Sequence, residues 1–342
     1  DMASNAEQLE FTPEIDAATR PIYERVRSVI PDVEWPIHAP WIARINELKK
    51  ERNATVVVHN YQTPEIYYGV ADYTGDSLGM ARFGADTDAD VILVSGVRFM
   101  AETAKILSPD KTVLLPDMKA GCSLAASITG EDVRKLRQQY PGVPVVTYVN
   151  AYADVRAEAD ICCTSANAVQ VVESLGSDRV IFLPDGYLGR YVASKTDVDI
   201  ILWEGACEVH ERFTAEELRG YRRDYPGIHI VAHPECPPDV LDEADFVGST
   251  SGMIRHVGET KPENVVMITE CSMSDNVAVE YPDVNFVRPC NLCPHMKRMT
   301  LPKIYYALKN LEPQIEVDPD IAAGARRSLE RMLEVGRGSA TS

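Results

Sequence analysis

Three apolar, strand-like runs in this chain end alike, and their even spacing limits what the chain can fold into. They are TVVVHNY (Thr55 to Tyr61), PVVTYVN (Pro144 to Asn150) and IHIVAHPE (Ile228 to Glu235). Each closes on a ring followed two residues later by another polar group: His59 and Tyr61, Tyr148 and Asn150, His233 and Glu235. At the two-residue period of a strand, both members of a pair lie on one face. Ser77, Ser165 and Thr250 follow the leading rings by 18, 17 and 17 residues. Their surroundings, TGDSLG, CTSANA and GSTSGM, predict helix N-termini capped by these hydroxyls. Such termini also attract anions through their free amides and the helix dipole. A second apolar run follows each time (DVILVSG, RVIFLPDG, NVVMITE), and then a cysteine in a polar loop. From Cys122 to Cys207 is 85 residues and from Cys207 to Cys293 is 86.

One α/β unit of about 86 residues used three times accounts for this pattern. Strands alternating with helices predict parallel sheets covered on both faces, hence three similar α/β/α sandwich domains. Ligands of such sheets sit beyond the carboxyl ends of the strands. Arranged with pseudo-threefold symmetry, the units bring three strand-end pairs, three helix N-termini and three cysteines to one central site. The expected division is a lead-in over 1–40, repeats over 41–143, 144–227 and 228–310, and a C-terminal helix and tail over 311–342. Within the first repeat, WIARINELKKERN predicts a helix from Trp41 to Asn53. The final amphipathic helix is expected to pack against the first domain.

Charge and composition exclude several classes of function. The 342 residues carry 52 acidic against 34 basic side chains, a net charge of -18. A nucleic-acid surface needs clustered Lys and Arg, so none is expected. Anionic substrates would have to be held by local donors. No apolar run approaches the roughly 20 residues that cross a bilayer, and no basic stretch precedes an apolar one near the N-terminus. The expectation is a soluble cytoplasmic protein without a membrane or nucleic-acid partner. The glycines near Gly75 and Gly79 do not form the phosphate turn of a dinucleotide fold, so NAD binding is not expected.

The eight cysteines are too few for a stapled secreted scaffold, and in a reducing compartment cysteines at special positions are more often metal ligands or catalytic groups. Three thiolates from three units suit a metal centre better than a disulfide, which would strand the third. Zinc accepts three cysteines, although structural zinc is usually held in paired knuckles. A 4Fe-4S cluster on three thiolates leaves one iron open to act as a Lewis acid.

Taken together and in this order, HNYQ, GDSLGMA, KAGCSLAA, TYVN, TSANA, GACEVHERF, AHPEC, GSTSGM and CPHMK resemble one family, quinolinate synthase, from about Trp41 to Lys309. The resemblance implies three similar α/β/α domains and an oxygen-sensitive 4Fe-4S cluster. It implies condensation of iminoaspartate with dihydroxyacetone phosphate to quinolinate, phosphate and two waters, in de novo NAD biosynthesis. An iminoaspartate-producing enzyme would be a functional partner. By motif position Cys122, Cys207 and Cys293 are the implied cluster ligands. His59, Tyr61, Ser77, Tyr148 and Asn150 are implied pocket residues, as are Ser165, His210, His233, Glu235 and Thr250. Some members carry C-x2-C-x2-C around the last ligand; here Val287 stands three before Cys290, and Cys293, followed by PHMK, takes the ligand position.

Tyr61 and Glu235 are the first candidates for acid–base work, with His59 and His233 beside them on their strands. Tyr148 and Asn150 suit hydrogen bonding to substrate. Ser77, Ser165 and Thr250 suit carboxylates and phosphate. A lone histidine after a strand is more often structural than catalytic; recurrence of the pattern is what singles out His59 and His233. Of the other cysteines, Cys162, Cys163, Cys236 and Cys271 read as inert small hydrophobes. A non-catalytic iron–sulfur protein for sensing or electron transfer is the competing class, and it needs no acid–base pocket.

Overall fold

A computed structural model describes residues 9–289 and 291–338 of the chain. It contains three four-stranded sheets, every strand parallel to its neighbours. In the first, β1 (Ala54–His59), β2 (Tyr73–Gly75), β3 (Val91–Ser95) and β4 (Thr112–Leu114) lie in the order β2-β1-β3-β4. The second repeats that order with β5 (Val145–Tyr148), β6 (Ile161–Cys163), β7 (Arg179–Leu183) and β8 (Asp199–Leu202), as β6-β5-β7-β8. The third does so again with β9 (His229–Ala232), β10 (Phe246–Val247), β11 (Asn264–Ile268) and β12 (Asn285–Val287), as β10-β9-β11-β12.

The central strands are apolar along their length because both sheet faces are covered. Val56, Val57 and Val58 of β1 are all fully buried, as are Ile92, Leu93 and Val94 of β3. The order reverses beside the first strand of each sheet, and this is where an open parallel sheet splays its connections apart and leaves a crevice. His59, Tyr148 and His233 stand at those three strand ends.

The connections between sheets follow a cyclic rule. Three helices, Gly130–Gln139, Ala215–Asp224 and Leu301–Asn310, are each capped by a threonine whose hydroxyl accepts from the amide three residues on. Each packs on the sheet that comes next. Val133 of the first lies in one core with Val145 and Ile181 of the second sheet. Leu218 of the second packs with Ile230 and Val266 of the third sheet. Ile304, Tyr305 and Leu308 of the last return to the core around β1 and β3.

The chain ends differ from their sequence-based expectations. The second helix runs from Trp35 to Glu51 rather than from Trp41 to Asn53, through Pro36 and Pro40. Pro36 lies in the first turn, where no amide partner is lost. Pro40 removes only the helical bond to the carbonyl of Pro36. The lead-in also holds a helix, Pro13–Val26, whose Tyr23 and Val26 join the first core. The C-terminal helix, Pro319–Gly338, packs mainly on the second sheet and touches the first domain at its helix Arg98–Leu107, where Arg326 donates to the carbonyl of Ile106 (3.0 Å). Its stripe of Ala325, Leu329 and Met332 meets Val146, Ile161 and Val171. Ser328 donates to the carbonyl of Arg156 (2.8 Å), in the last turn of the helix Ala153–Glu158, and Arg331 to that of Asp160 (2.9 Å), just before β6. No helix among the described residues is long and apolar enough to cross a membrane.

Leu329 is fully buried in this seam. Leu329→Ala should lower the unfolding free energy by about 2–5 kcal/mol, read as a lower urea midpoint by circular dichroism. An unchanged midpoint would mean that the C-terminal helix lies outside the cooperative unit.

Candidate active site

His59 ends β1 and His233 follows β9, and a shared local device fixes both rings. Nδ1 of His59 accepts from the amide of Tyr61 (3.1 Å), and Nδ1 of His233 accepts from the amide of Glu235 (3.1 Å). A neutral imidazole has one donor and one acceptor nitrogen, so each ring presents Nε2–H outward. Burial pushes both imidazoles down to about 3, and they are neutral at physiological pH. This explains why ring and polar residue are two apart: the second residue's amide orients the first.

Glu235 is buried among donors. Tyr148 Oη donates to its Oε1 at 2.5 Å, and His210 Nδ1 lies 3.0 Å from its Oε2. Burial acts to raise the pKa of this carboxyl, but His233, His210 and the hydrogen bonds from His210 and Tyr148 hold it below its ordinary value. The phenols of Tyr61 and Tyr148 are pushed well above theirs, first by burial and then by the Glu235 charge. His210 stacks on His233 with ring centroids 4.7 Å apart.

The three predicted cysteines share one backbone setting. Cys122, Cys207 and Cys293 each precede a single tight turn: Ala125–Ser127, Glu208–Glu211 and Met296–Arg298. The amides two and three residues on hydrogen-bond to each sulfur: Leu124 and Ala125, Val209 and His210, His295 and Met296. Burial nevertheless raises all three thiols, Cys122 to about 12, with Glu235 adding to the rise at Cys122 and Cys207. Thr129, Thr214 and Thr300, which cap the three returning helices, stand seven residues after Cys122, Cys207 and Cys293 respectively. This spacing was open to sequence reading. It singles out Cys293 as the third equivalent, since Lys297 stands seven after Cys290. Cys290 itself lies outside the described residues.

The hydroxyl positions are displaced from their predicted caps. Asp76 caps the helix Ser77–Asp86 and Ser249 caps Thr250–Thr260, so Ser77 and Thr250 are the first helical residues. In the second unit Ser165 lies in a turn before the short helix Ala168–Ser174, and Thr164 donates its amide to Asn167 Oδ1 (2.7 Å). The residue just before the expected one takes the cap in the first and third units, leaving the hydroxyls of Ser77 and Thr250 for other contacts.

One cavity is lined by all thirteen residues the sequence singled out, from the strand-end pairs to the three cysteines. Within it Cys207, His210 and Glu235 offer ligand atoms within 4.8 Å of one another, a group able to hold a metal ion. Sequence reasoning missed the residues that lock this arrangement. Asn60 donates to Thr250 Oγ1 (3.1 Å), Gln62 to the carbonyl of Met296 (3.1 Å), and Lys297 to that of Tyr61 (3.0 Å). Thr269 lies between Tyr61 and His210. Asn60 and Gln62 alternate with the ring pair in HNYQ, and their place in a buried strand end was the available signal.

Fold and site together define an α/β protein of three like sheets with a thiol-, imidazole- and carboxylate-lined centre. The chain belongs to the Quinolinate synthetase A protein family, a family of enzymes, which matches residues 43–334. The resemblance read from the motifs is thereby borne out. Quinolinate synthase 2 of Mesorhizobium japonicum is 59% identical over 314 residues, covering 92% of this chain and 97% of that protein. Quinolinate synthase of Agrobacterium fabrum is 59% identical over 322 residues, 94% of this chain and 93% of its own length. Quinolinate synthase of Caulobacter vibrioides is 54% identical over 329 residues, 95% and 90% respectively.

Gly205, two residues before Cys207, has no room for a side chain. A Cβ there would sit 2.3 Å from the Pro184 carbonyl oxygen and 2.7 Å from Ser127 Oγ. Gly205→Ala should shift the Cys207 turn and cost about 1–3 kcal/mol by overpacking. Thermal unfolding measures the cost, and accessibility of the Cys207 thiol to a bulky alkylating reagent measures the shift; wild-type values in both would refute the crowding.

Proposed function

We propose that this chain is a quinolinate synthase. In this reading it condenses iminoaspartate with dihydroxyacetone phosphate to give quinolinate, phosphate and two waters, as a step of de novo NAD biosynthesis in the cytoplasm. A separate enzyme supplies the iminoaspartate. The observation that carries the proposal is the repetition of one cysteine turn, with two amides on each sulfur, around a cavity lined by the three strand-end pairs. We take the three units to surround that cavity with pseudo-threefold symmetry.

The donor set fits a 4Fe-4S cluster on Cys122, Cys207 and Cys293. None of the three is in a disulfide. No lysine or arginine is among the main influences on their pKa values, so a bound cationic centre is what would convert these buried thiols to thiolates. Peptide amides aimed at sulfur stabilise that form. When bound, a cluster held by three thiolates supplies an open, Lewis-acidic iron for loss of water.

The protein's own groups divide the remaining work. Tyr61 serves acid–base chemistry on the triose, with His59 beside it as a neutral Nε2–H donor. Glu235, held as a carboxylate by Tyr148 and His210, accepts a proton during condensation or dehydration, with His233 at hand as a second neutral donor. Tyr148 and Asn150 orient substrate. Ser77, Ser165 and Thr250 bind carboxylate and phosphate oxygens, and the helices starting at Ser77 and Thr250 add free amides on a chain whose net charge repels anions. His210 completes the wall between Tyr61 and Glu235.

A mononuclear centre on Cys207, His210 and Glu235 is the second reading, favoured by their close approach. Iron and acid-labile sulfide per chain after anaerobic purification decide between them. About four of each supports the cluster; stoichiometric zinc without sulfide overturns it. Cys207→Ala should abolish cluster assembly, seen as loss of the visible absorption. Tyr61→Phe should keep the cluster and lower quinolinate formation by about a hundredfold or more; retained turnover would remove Tyr61 from acid–base work.

A further inference from the structure

At the amino end of β9, opposite the cavity, two histidines meet head to head. His229 opens β9 and His256 lies in the helix Thr250–Thr260. Their Nε2 atoms are 2.7 Å apart, their ring centroids 5.0 Å, and their planes 18° from parallel. With the nitrogens so close, 5.0 Å is near the greatest separation the centroids can have, so the rings lie end to end on one line. The spacing suits a shared proton. A metal ion with bonds of about 2.0 Å to each of two collinear nitrogens would need about 4 Å between them.

The surrounding charges set the direction of the bond. Asp245 Oδ2 accepts from the Ile230 amide (2.8 Å) and lies 3.8 Å from His229 Nδ1, while Arg222 reaches the other oxygen at 3.3 Å. The carboxylate favours the proton of a neutral His229 on Nδ1, so His229 Nε2 accepts and His256 Nε2–H donates. Burial and the His229 ring lower the pKa of His256, against the pull of Glu259 on the same helix and of Asp245. An added proton can enter at His256 Nδ1 and leave the bond intact. A second must take the lone pair of His229 that receives the bond, so both rings become charged only after they part.

The other units lack this bond. Phe83 and His256 stand at the same place in their helices, six residues after Ser77 and Thr250, and Tyr73 and Phe246 match by strand register. Phe83 stacks on Tyr73 at 5.1 Å, as His256 does on Phe246 at 4.0 Å. The ring pair is therefore part of the repeat, and the imidazole bond to β9 is added to it in the third unit; Thr55 and Pro144 stand where His229 would be. The latched helix begins at the cavity, where Ser249 and Thr250 line the wall and Thr250 Oγ1 accepts from Asn60 of the first unit (3.1 Å).

We propose that the His229–His256 pair is an acid-sensitive latch. It holds the helix Thr250–Thr260, and with it the Thr250 corner of the cavity, against the third sheet, and it releases that helix when both imidazoles are charged. An imidazole freed into water takes its proton near pH 6.5. The latch is therefore fully closed above that pH and weakens as the pH falls below it, because the open form binds one proton more.

Amide hydrogen exchange of the helix in the anaerobically purified full chain, corrected for the intrinsic effect of pH, reads the opening. In wild type, opening should rise about tenfold per pH unit below about pH 6. The helix Ser77–Asp86, with Phe83 in place of His256, is the internal reference and should show no such slope. His229→Gln keeps an acceptor for His256 without a lone pair that titrates, so protection should stay high and flat. His256→Phe copies the stack of the first unit without the bond, so protection should be low and equally flat. A flat wild-type profile, an equal slope in the reference helix, or a slope kept in both variants would overturn the latch. If a variant does not fold, wild type against the reference helix decides by itself.

Discussion

The short segment His59 to Gln62 is held by the rest of the protein from every side, and the site depends on that hold. Asn60 and Gln62 are buried carboxamides, and a buried amide left unpaired is costly. Their partners come from distant parts of the chain. Asn276 donates to the carbonyls of both (3.2 and 2.7 Å), while Lys297 supplies the carbonyl of Tyr61. Lys297 also pairs with the buried Glu270 at 3.0 Å, which fixes the ammonium in turn. The rings of His59 and Tyr61 therefore point into the cavity from a backbone whose three carbonyls are each bonded to the third unit or to the segment that follows it.

The same logic governs the cysteines. Each lies on a turn that leaves one sheet and leads into a helix packed on the next, so its position is set by two cores at once. A ligand placed at such a seam reports on how the units sit together. The amides that face each sulfur belong to the turn itself and need no side chain, which is why CSLA, CEVH and CPHM can differ so much and still present a thiol in the same way. The catalytic candidates, by contrast, are unlike in the three units, as a single reaction on an asymmetric substrate would require.

Much of this was legible in the residues. Near-equal spacing of Cys122, Cys207 and Cys293, and three apolar runs ending in ring and polar group, carried both the repeat and the lining of the cavity. What escaped was contact between units. Thr269 has counterparts in Gly96 and Pro184 by the strand register, so nothing in the repeat marks it; its contact is with Tyr61, 208 residues away. The caps were misplaced by one residue because Asp76 and Ser249 compete with their neighbours for the same amides. The partner of the C-terminal helix was unreadable for a similar reason: an apolar stripe states that a helix will be covered, and not by which face.

The helix Leu301–Asn310 carries a consequence for how the molecule comes into being. It fills part of the core around β1 and β3, yet it is separated from them by two complete sheets. Chains usually fold from the N-terminus as they are made, one domain at a time. Here the first sheet cannot finish its core until almost the whole polypeptide has left the ribosome, and its apolar face must wait meanwhile. Contacts of such long sequence separation slow folding and prolong exposure. The arrangement that closes the three units into one body thus makes the earliest-synthesised unit the last to be completed, and the nascent first sheet the natural client for a chaperone.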